Sequence, residues 1–227
     1  MNHPSSFILR TSILLFIVIV SLSCQLGPRG TADTYFEQLL AIEADSLPSC
    51  AVHMSEIPDK SAGANYNADF KQWLADNGYD EILLTYGDGG EGLVACVPTK
   101  TPIIGVNALD FQYFYDQGYS DCELYAIQTR YDMDYDHRAD STWRIRRFIQ
   151  AVTEYTGFDQ VNVVAWSNAV TLVRKAIQGG ISFQDPELDI DSACNLGPSI
   201  ADSVETFIGI AGVNRGNAAC GTWPDVY

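Results

Sequence analysis

The chain has 227 residues, of which 13 are lysine or arginine and 29 are aspartate or glutamate, so its formal net charge is −16. The apolar fraction of 47% provides enough side chains for a packed core, which excludes a wholly disordered chain. A chain this acidic cannot neutralise a run of phosphates, so nucleic acid is excluded as a partner. The same charge argues against tight binding to an anionic membrane surface.

Residues 1–23 have the pattern of a secretory signal peptide. Arg10 precedes an apolar run at 13–20, and Ser21 and Ser23 place small residues at alternate positions before the predicted cleavage point. The run is too short for a membrane-spanning helix, which needs about 20 apolar residues, so we predict no stable membrane span. The protein is therefore predicted to be secreted to the extracellular space.

Export would place the cysteines in an oxidising compartment, where disulfides are expected in preference to metal sites. The six are Cys24, Cys50, Cys96, Cys122, Cys194 and Cys220. None belongs to a Cys-x-x-Cys pair, and their spacing does not choose among the possible pairings. No metal ion or cofactor is predicted for this chain.

The first half of the chain divides into an N-terminal segment and the start of a folded domain. Residues 24–66 are predicted to be a linker and an irregular segment, and residues 67–227 a partial α/β domain. Two helix-to-strand units follow, each with a glycine that lets the helix end and the chain turn. Their predicted helices are 69–74 and 110–115, and their predicted strands are 82–86 and 123–127. Between the units, residues 87–92 are predicted to be a flexible turn, and 101–106 a buried strand.

The second half alternates more clearly between helix and strand. Ser141 is predicted to cap a helix that ends at Gly157, and residues 161–165 form a β-branched strand. A helix at 169–178 and a strand at 206–211 come next. Strands that alternate with helices indicate a mostly parallel sheet covered on both faces. The predicted fold class is α/β.

The junction at Ser167 is the most informative point for chemistry. The serine lies between a predicted buried strand and a predicted helix, and Ala165 and Ala169 stand two positions to either side. Small flanking residues suit a nucleophile elbow, where strand and helix pass close together and the serine sits on a strained turn. The backbone N–H of Asn168 then lies at the helix start, where it can receive an oxyanion. A serine that merely caps the helix is the alternative interpretation.

The sequence also resembles the secreted class 2 triacylglycerol lipases over roughly residues 67–216. The resemblance is carried by five blocks, at 69–79, 117–126, 148–157, 167–180 and 207–216. The most specific are VTLVRKAIQGG, which follows Ser167 from position 170, and FIGIAGVNRG at 207–216. The resemblance implies an α/β-hydrolase fold and hydrolysis of carboxylic esters in lipids, with Ser167 as nucleophile and the Asn168 N–H as oxyanion donor.

The chain departs from this family at three places. The family's elbow reads Ala-His-Ser-Met-Gly, whereas this chain has Trp166, Asn168 and Ala169 around its serine. The family's His-Gly-Asn loop is replaced by residues 105–108, which run directly into the next predicted helix. The three histidines, His3, His53 and His137, all precede Ser167, although the α/β-hydrolase order places the histidine last.

These departures leave three hypotheses open from the sequence. The first is a lipase-like ester hydrolase of lipid catabolism, with a lipid ester as its substrate. The second is a catalytically inactive pseudo-lipase or fragment, with its C-terminal part missing, which acts as an acyl-binding or partner-binding module. The third is a product that does not fold stably, because a sheet that lacks its last strands leaves an unprotected edge and exposed apolar surface. Enzymatic activity is undecided because a triad histidine and a supported triad aspartate are lacking, and the sequence does not predict the oligomeric state.

Overall fold

The computed structural model describes residues 42–52, 65–83, 87–89, 96–107, 110–128, 139–184, 190–212 and 214. The predicted signal peptide, the three histidines, and Cys24 and Cys220 lie outside these ranges. Within them, none of the helices is both long enough and apolar enough to cross a membrane.

The described part of the chain holds five α-helices and eight strands. The helices are α1 (Ala68–Asp76), α2 (Asp80–Leu83), α3 (Gln112–Asp116), α4 (Ala139–Thr156) and α5 (Ala169–Gln178). The strands are β1 (Asn65–Tyr66), β2 (Gly87–Gly89), β3 (Ile103–Val106), β4 (Leu124–Ile127), β5 (Val161–Trp166), β6 (Ile181–Phe183), β7 (Ala193–Asn195) and β8 (Val204–Ile210). Short 3-10 helices occur at Ala44–Ser46, Asp121–Glu123, Ile190–Ser192 and Ala201–Ser203.

Six of these strands form one sheet in the order β1-β2-β4-β3-β5-β8. The neighbours β4, β3, β5 and β8 all pair in parallel, whereas β2 pairs with β4 antiparallel. Strands β6 and β7 form a separate antiparallel pair. The predicted α/β class with a mostly parallel sheet is therefore confirmed.

Helices cover the two faces of the sheet to different extents. On one face, alternate strand residues such as Ile104 and Val163 enter the main core with side chains from α1, α4 and α5. On the other face, a smaller cluster of Ile103, Leu124 and Val164 is packed by aromatic residues around α3. The central strands are therefore buried on both sides, which explains their continuous apolar sequences.

Three predicted elements differ from the structure. Residues 82–86 are not a strand as far as they are described: Ile82 and Leu83 end α2, whose first turn carries Asp80 and Glu81, a favourable place for acidic residues. Gly87–Gly89 is not a turn but strand β2, which pairs through its backbone with β4. Ser141 does not cap α4, because that helix already includes Ala139.

Two disulfides lie in the described part of the chain. Cys50 is bonded to Cys194 on β7, which attaches the segment 42–52 to the domain, and the N–H of Asn195 donates to the Pro48 carbonyl at 2.8 Å. Cys96 is bonded to Cys122, just before β4. Spacing alone gave neither pairing, and the two disulfides fit a protein of an oxidising, extracellular compartment.

The buried carboxylate of Glu123 also stabilises the region around the Cys96–Cys122 disulfide. Its carboxylate accepts from the backbone N–H groups of Thr99 and Lys100, at 2.5 and 2.8 Å, and from that of Ser120 at 2.8 Å. Burial alone raises the pKa of Glu123, but the backbone donors of Ser120, Thr99 and Lys100 outweigh it and lower the pKa to about 2. A buried carboxylate thus holds the chain segment that leads into β3.

Helix α5 lies close against β8 because β8 has a glycine at the contact. A Cβ atom added at Gly209 would come within 2.7 Å of Val170 Cγ1 on the helix. With a side chain at position 209, the strand, the helix or the Val170 side chain would have to shift.

We expect Gly209→Ala to destabilise the fold by about 1–3 kcal/mol through this overpacking. Val170→Ala would make the room that the new methyl group needs. The double variant should therefore lose at least about 1 kcal/mol less than the sum of the single losses, as measured by urea unfolding. Additive losses would show that the two positions do not meet as described.

Lys175, in the last turn of α5, is a partly buried cation. Its Nζ donates to the Gly179 carbonyl at 3.0 Å, and burial lowers the pKa of Lys175 to about 8. The unfolded chain keeps the usual lysine pKa of about 10.4. Between these values the unfolded state binds more protons than the folded state, so the free energy of unfolding should rise with pH.

Replacing Lys175 by methionine should therefore stabilise the protein at pH 7, by about 2 kcal/mol after allowance for the lost hydrogen bond. This advantage should shrink as the pH rises from 8 toward 10, because the native lysine then loses its charge. Urea unfolding of both proteins across that range tests the expectation. An advantage that does not change with pH would show that the buried charge is not its cause.

Candidate active site

Three strained backbone positions mark one edge of the sheet. Among the described residues, the non-glycine residues with positive φ are Asn107 at 61°, Ser167 at 59° and Ala211 at 51°. Each directly follows one of three adjacent parallel strands, β3, β5 and β8. The carboxyl ends of parallel strands meet at the same edge, which is where α/β proteins place their ligand sites. Such strain costs about 1–3 kcal/mol per residue and is concentrated at functional sites.

Ser167 occupies the tight turn between β5 and α5. Its N–H donates to the Ile210 carbonyl at 2.9 Å, and its own carbonyl accepts from the Val170 N–H at 3.2 Å. The flanking Ala165 and Ala169 are completely buried, so larger side chains would separate the strand from the helix. The structure thus gives Ser167 the strand–turn–helix position that the sequence predicts, while its chemical role stays a prediction.

Asn168 begins the first turn of α5 with helical backbone angles, φ −61° and ψ −29°. Its carbonyl accepts from both the N–H and the hydroxyl of Thr171, at 3.1 and 2.8 Å. The N–H groups of a first helical turn point out of the helix end, where the helix dipole favours negative charge. The predicted oxyanion donor therefore has suitable local geometry, and its role remains a prediction.

The side chain of Asn168 makes a contact that the sequence did not predict. Its Oδ1 accepts from Nδ2 of Asn107 at 3.1 Å, across the ends of β3 and β5. Sequence reasoning gave no role to Asn107 or to Ala211. The sequence did contain a signal for Asn107. Asparagine adopts positive φ more readily than most residues, and here it directly follows a predicted buried strand.

Apolar side chains adjoin the serine on the less covered face of the sheet. Trp166 is 51% exposed and pairs with Ile210, which is 46% exposed, while Ile208 on the same strand is 49% exposed. Successive residues of a strand face opposite sides, so Ile208 and Ile210 share a face with Trp166 and Val164, their partners on β5. The result is an apolar surface that begins one residue before Ser167.

The three histidines lie outside the described residues, and the sequence assigned none of them to a catalytic triad. Within the described ranges, no three His, Cys, Asp or Glu residues lie close enough together to hold a metal ion. The described site therefore consists of the serine, the start of α5, the Asn107–Asn168 contact and the apolar surface.

The profile of the class 2 lipases matches residues 104–225, more than half of the chain, and these residues include all three strained strand ends. The chain belongs to the class 2 lipase family. Membership supports a lipase-like hydrolase function and confirms the resemblance from position 104 onward, whereas the block at 69–79 lies outside the matched residues. A comparison with curated proteins found no match.

Within this lipase family member, the strained turn gives a direct test of the geometry at Ser167. Glycine adopts positive φ without a steric penalty, whereas the Cβ atom of alanine makes this conformation unfavourable. We therefore expect Ser167→Gly to be more stable than Ser167→Ala by about 0.5–1 kcal/mol in urea unfolding.

Ser46 provides the matched control, because it lies in a short 3-10 helix and has no positive φ. At that position the order should reverse, with alanine more stable than glycine. If alanine is also the more stable replacement at position 167, the strained turn does not exist in solution.

Proposed function

We propose that this protein hydrolyses carboxylic esters of lipids, with Ser167 as its nucleophile. The observation that carries the proposal is the position of Ser167: a left-handed residue at the end of a central parallel strand, followed by a helix, in a member of the class 2 lipase family. A serine in this position presents its hydroxyl at the edge of the sheet instead of burying it in a regular element.

In the proposed reaction, Ser167 Oγ attacks the carbonyl carbon of the ester while a base takes the hydroxyl proton. The backbone N–H of Asn168 stabilises the negative charge that develops on the carbonyl oxygen. The bond to the alcohol then breaks, the alcohol leaves with a proton, and water hydrolyses the acyl-serine. The side chain that acts as base is left open, since the three histidines lie outside the described residues.

The apolar surface beside Ser167 supports a lipid ester over a small polar one. Trp166, Ile208 and Ile210 expose about half of their side chains next to the proposed point of attack. Burying apolar area against an acyl chain contributes about 25 cal/mol per Å², so a longer chain should bind more tightly on such a surface. Triacylglycerols and related esters are therefore the proposed substrate class.

One observation favours a second candidate function. The family's His-Gly-Asn oxyanion loop is replaced in this chain by residues 105–108, so the second oxyanion donor of the family is not recognisable here. The loss of one oxyanion donor typically costs about 10²–10³ in turnover. The alternative is therefore a pseudo-lipase that binds acyl groups or a partner without cleaving esters.

Two measurements on the full chain separate these functions. The first treats the protein with a fluorophosphonate probe and locates the label by peptide mass spectrometry. The second follows hydrolysis of p-nitrophenyl esters whose acyl chains range from acetyl to palmitoyl. The hydrolase proposal expects a label on Ser167, turnover that Ser167→Ala abolishes, and kcat/KM that rises with acyl chain length.

The control is Ser199→Ala, which removes an exposed hydroxyl that donates to the Ile177 carbonyl at the other end of α5. It should leave both labelling and turnover unchanged. Absence of label and turnover, together with binding of a fluorescent fatty acid, would instead support the pseudo-lipase. Turnover that survives Ser167→Ala would contradict the proposed nucleophile.

A further inference from the structure

The side-chain contact between Asn107 and Asn168 joins two strand ends at the candidate site. Residues Val106 and Ala165 are register partners on β3 and β5, so Asn107 leaves its strand level with Trp166, one residue before the serine. Asn107 also donates its backbone N–H to the Ile127 carbonyl at 3.1 Å, which extends the pairing of β3 with β4. Its backbone is therefore anchored to one neighbouring strand, while its side chain reaches the turn that follows the other.

The backbone conformation of Asn107 is consistent with this contact to Asn168. Its φ of 61° turns the chain sharply at the end of β3, and a strained backbone persists only where surrounding contacts determine it. On the receiving side, Asn168 makes no side-chain bond that caps its own helix, although asparagine is among the best residues for that purpose. Its Oδ1 accepts from Asn107 across the two strand ends instead.

This contact bears on the atom that the proposed reaction uses. The proposed oxyanion donor is the backbone N–H of Asn168, and its direction depends on how this N-cap residue of α5 is oriented. A displacement of about 1 Å at a reacting group can cost up to about 100-fold in rate, so a bond that fixes this residue has a measurable effect.

We infer that Asn107 is a positioning residue: its side-chain amide holds Asn168 so that the Asn168 N–H faces the oxyanion. The inference rests on the proposed function. It also accounts for one residue type, because the acceptor on Asn168 stands where the family's elbow motif has methionine. Neither asparagine takes part in bond making through its side chain.

The test measures the rate at which a fluorophosphonate labels Ser167 in the full chain. Asn107→Ala and Asn168→Ala should each slow labelling about tenfold, and the double variant should be no slower than either single variant. Asn107→Asp keeps the shape but loses the donor, so it should be as slow as Asn107→Ala. Thermal unfolding of each variant shows whether the fold is retained.

The matched control is Asn162→Ala, at the other end of β5. Asn162 also bridges two strands with its side-chain amide, which donates to Glu205 on β8 at 3.3 Å. Its loss removes a comparable contact far from the serine, so it should leave the labelling rate within twofold of the native rate. An equal slowing by Asn162→Ala, or an unchanged rate in Asn107→Ala, overturns the inference.

A second readout separates this inference from the proposed function. If the native chain is labelled no faster than Ser167→Ala, the proposed function fails, and the ¹⁵N-¹H spectrum then decides. The backbone amide resonance of Asn168 should move in Asn107→Ala and stay in place in Asn162→Ala. An unmoved Asn168 resonance in Asn107→Ala would show that the contact does not orient that residue.

Discussion

The close approach of helix α5 to strands β5 and β8 is the constraint on which the candidate site depends. Completely buried alanines at 165 and 169 allow the turn between β5 and α5, and Gly209 allows β8 to pass beneath Val170. Since the N–H of Ser167 donates to the Ile210 carbonyl, the position of the serine is set by the placement of β8 as well as by its own turn. Small residues at three separate points of the sequence thus fix one serine.

The strain at the sheet edge is supported by the same packing. Left-handed backbone at Asn107, Ser167 and Ala211 would relax if the chain were free, since each position is occupied by a residue with a Cβ atom. Two of the three N–H groups are held by neighbouring strands, Ser167 by β8 and Asn107 by β4. The strained backbone at the sheet edge therefore lowers the net stability of the fold, which is common at binding and catalytic sites.

Sequence patterns predicted the central elements well, because local propensity and burial agree there. The strand at 161–165, the helix Ala169–Gln178 and the turn at Ser167 between them follow from a β-branched run, a helical composition and small flanking residues. Strand β2 could not be predicted in this way, since two of its three residues are glycine and carry no apolar pattern that indicates the pairing with β4. The Asn107–Asn168 contact joins positions 61 residues apart, and only the register of β3 with β5 brings them together.

Departures from the family's elbow sequence are compatible with its geometry because the turn depends on side-chain size more than on residue identity. Ala169 stands where the family has glycine, yet it is completely buried and the turn still forms. Trp166 can stand where the family has histidine because the residue directly before the serine lies outside the core, and Trp166 is 51% exposed. Asn168 brings a hydrogen-bonding side chain to a place where the family has methionine, and Asn107 supplies the donor to meet it. In this chain, small side chains therefore stand where strand and helix touch, and the residues that differ most from the family's motif are those whose side chains do not lie in that contact.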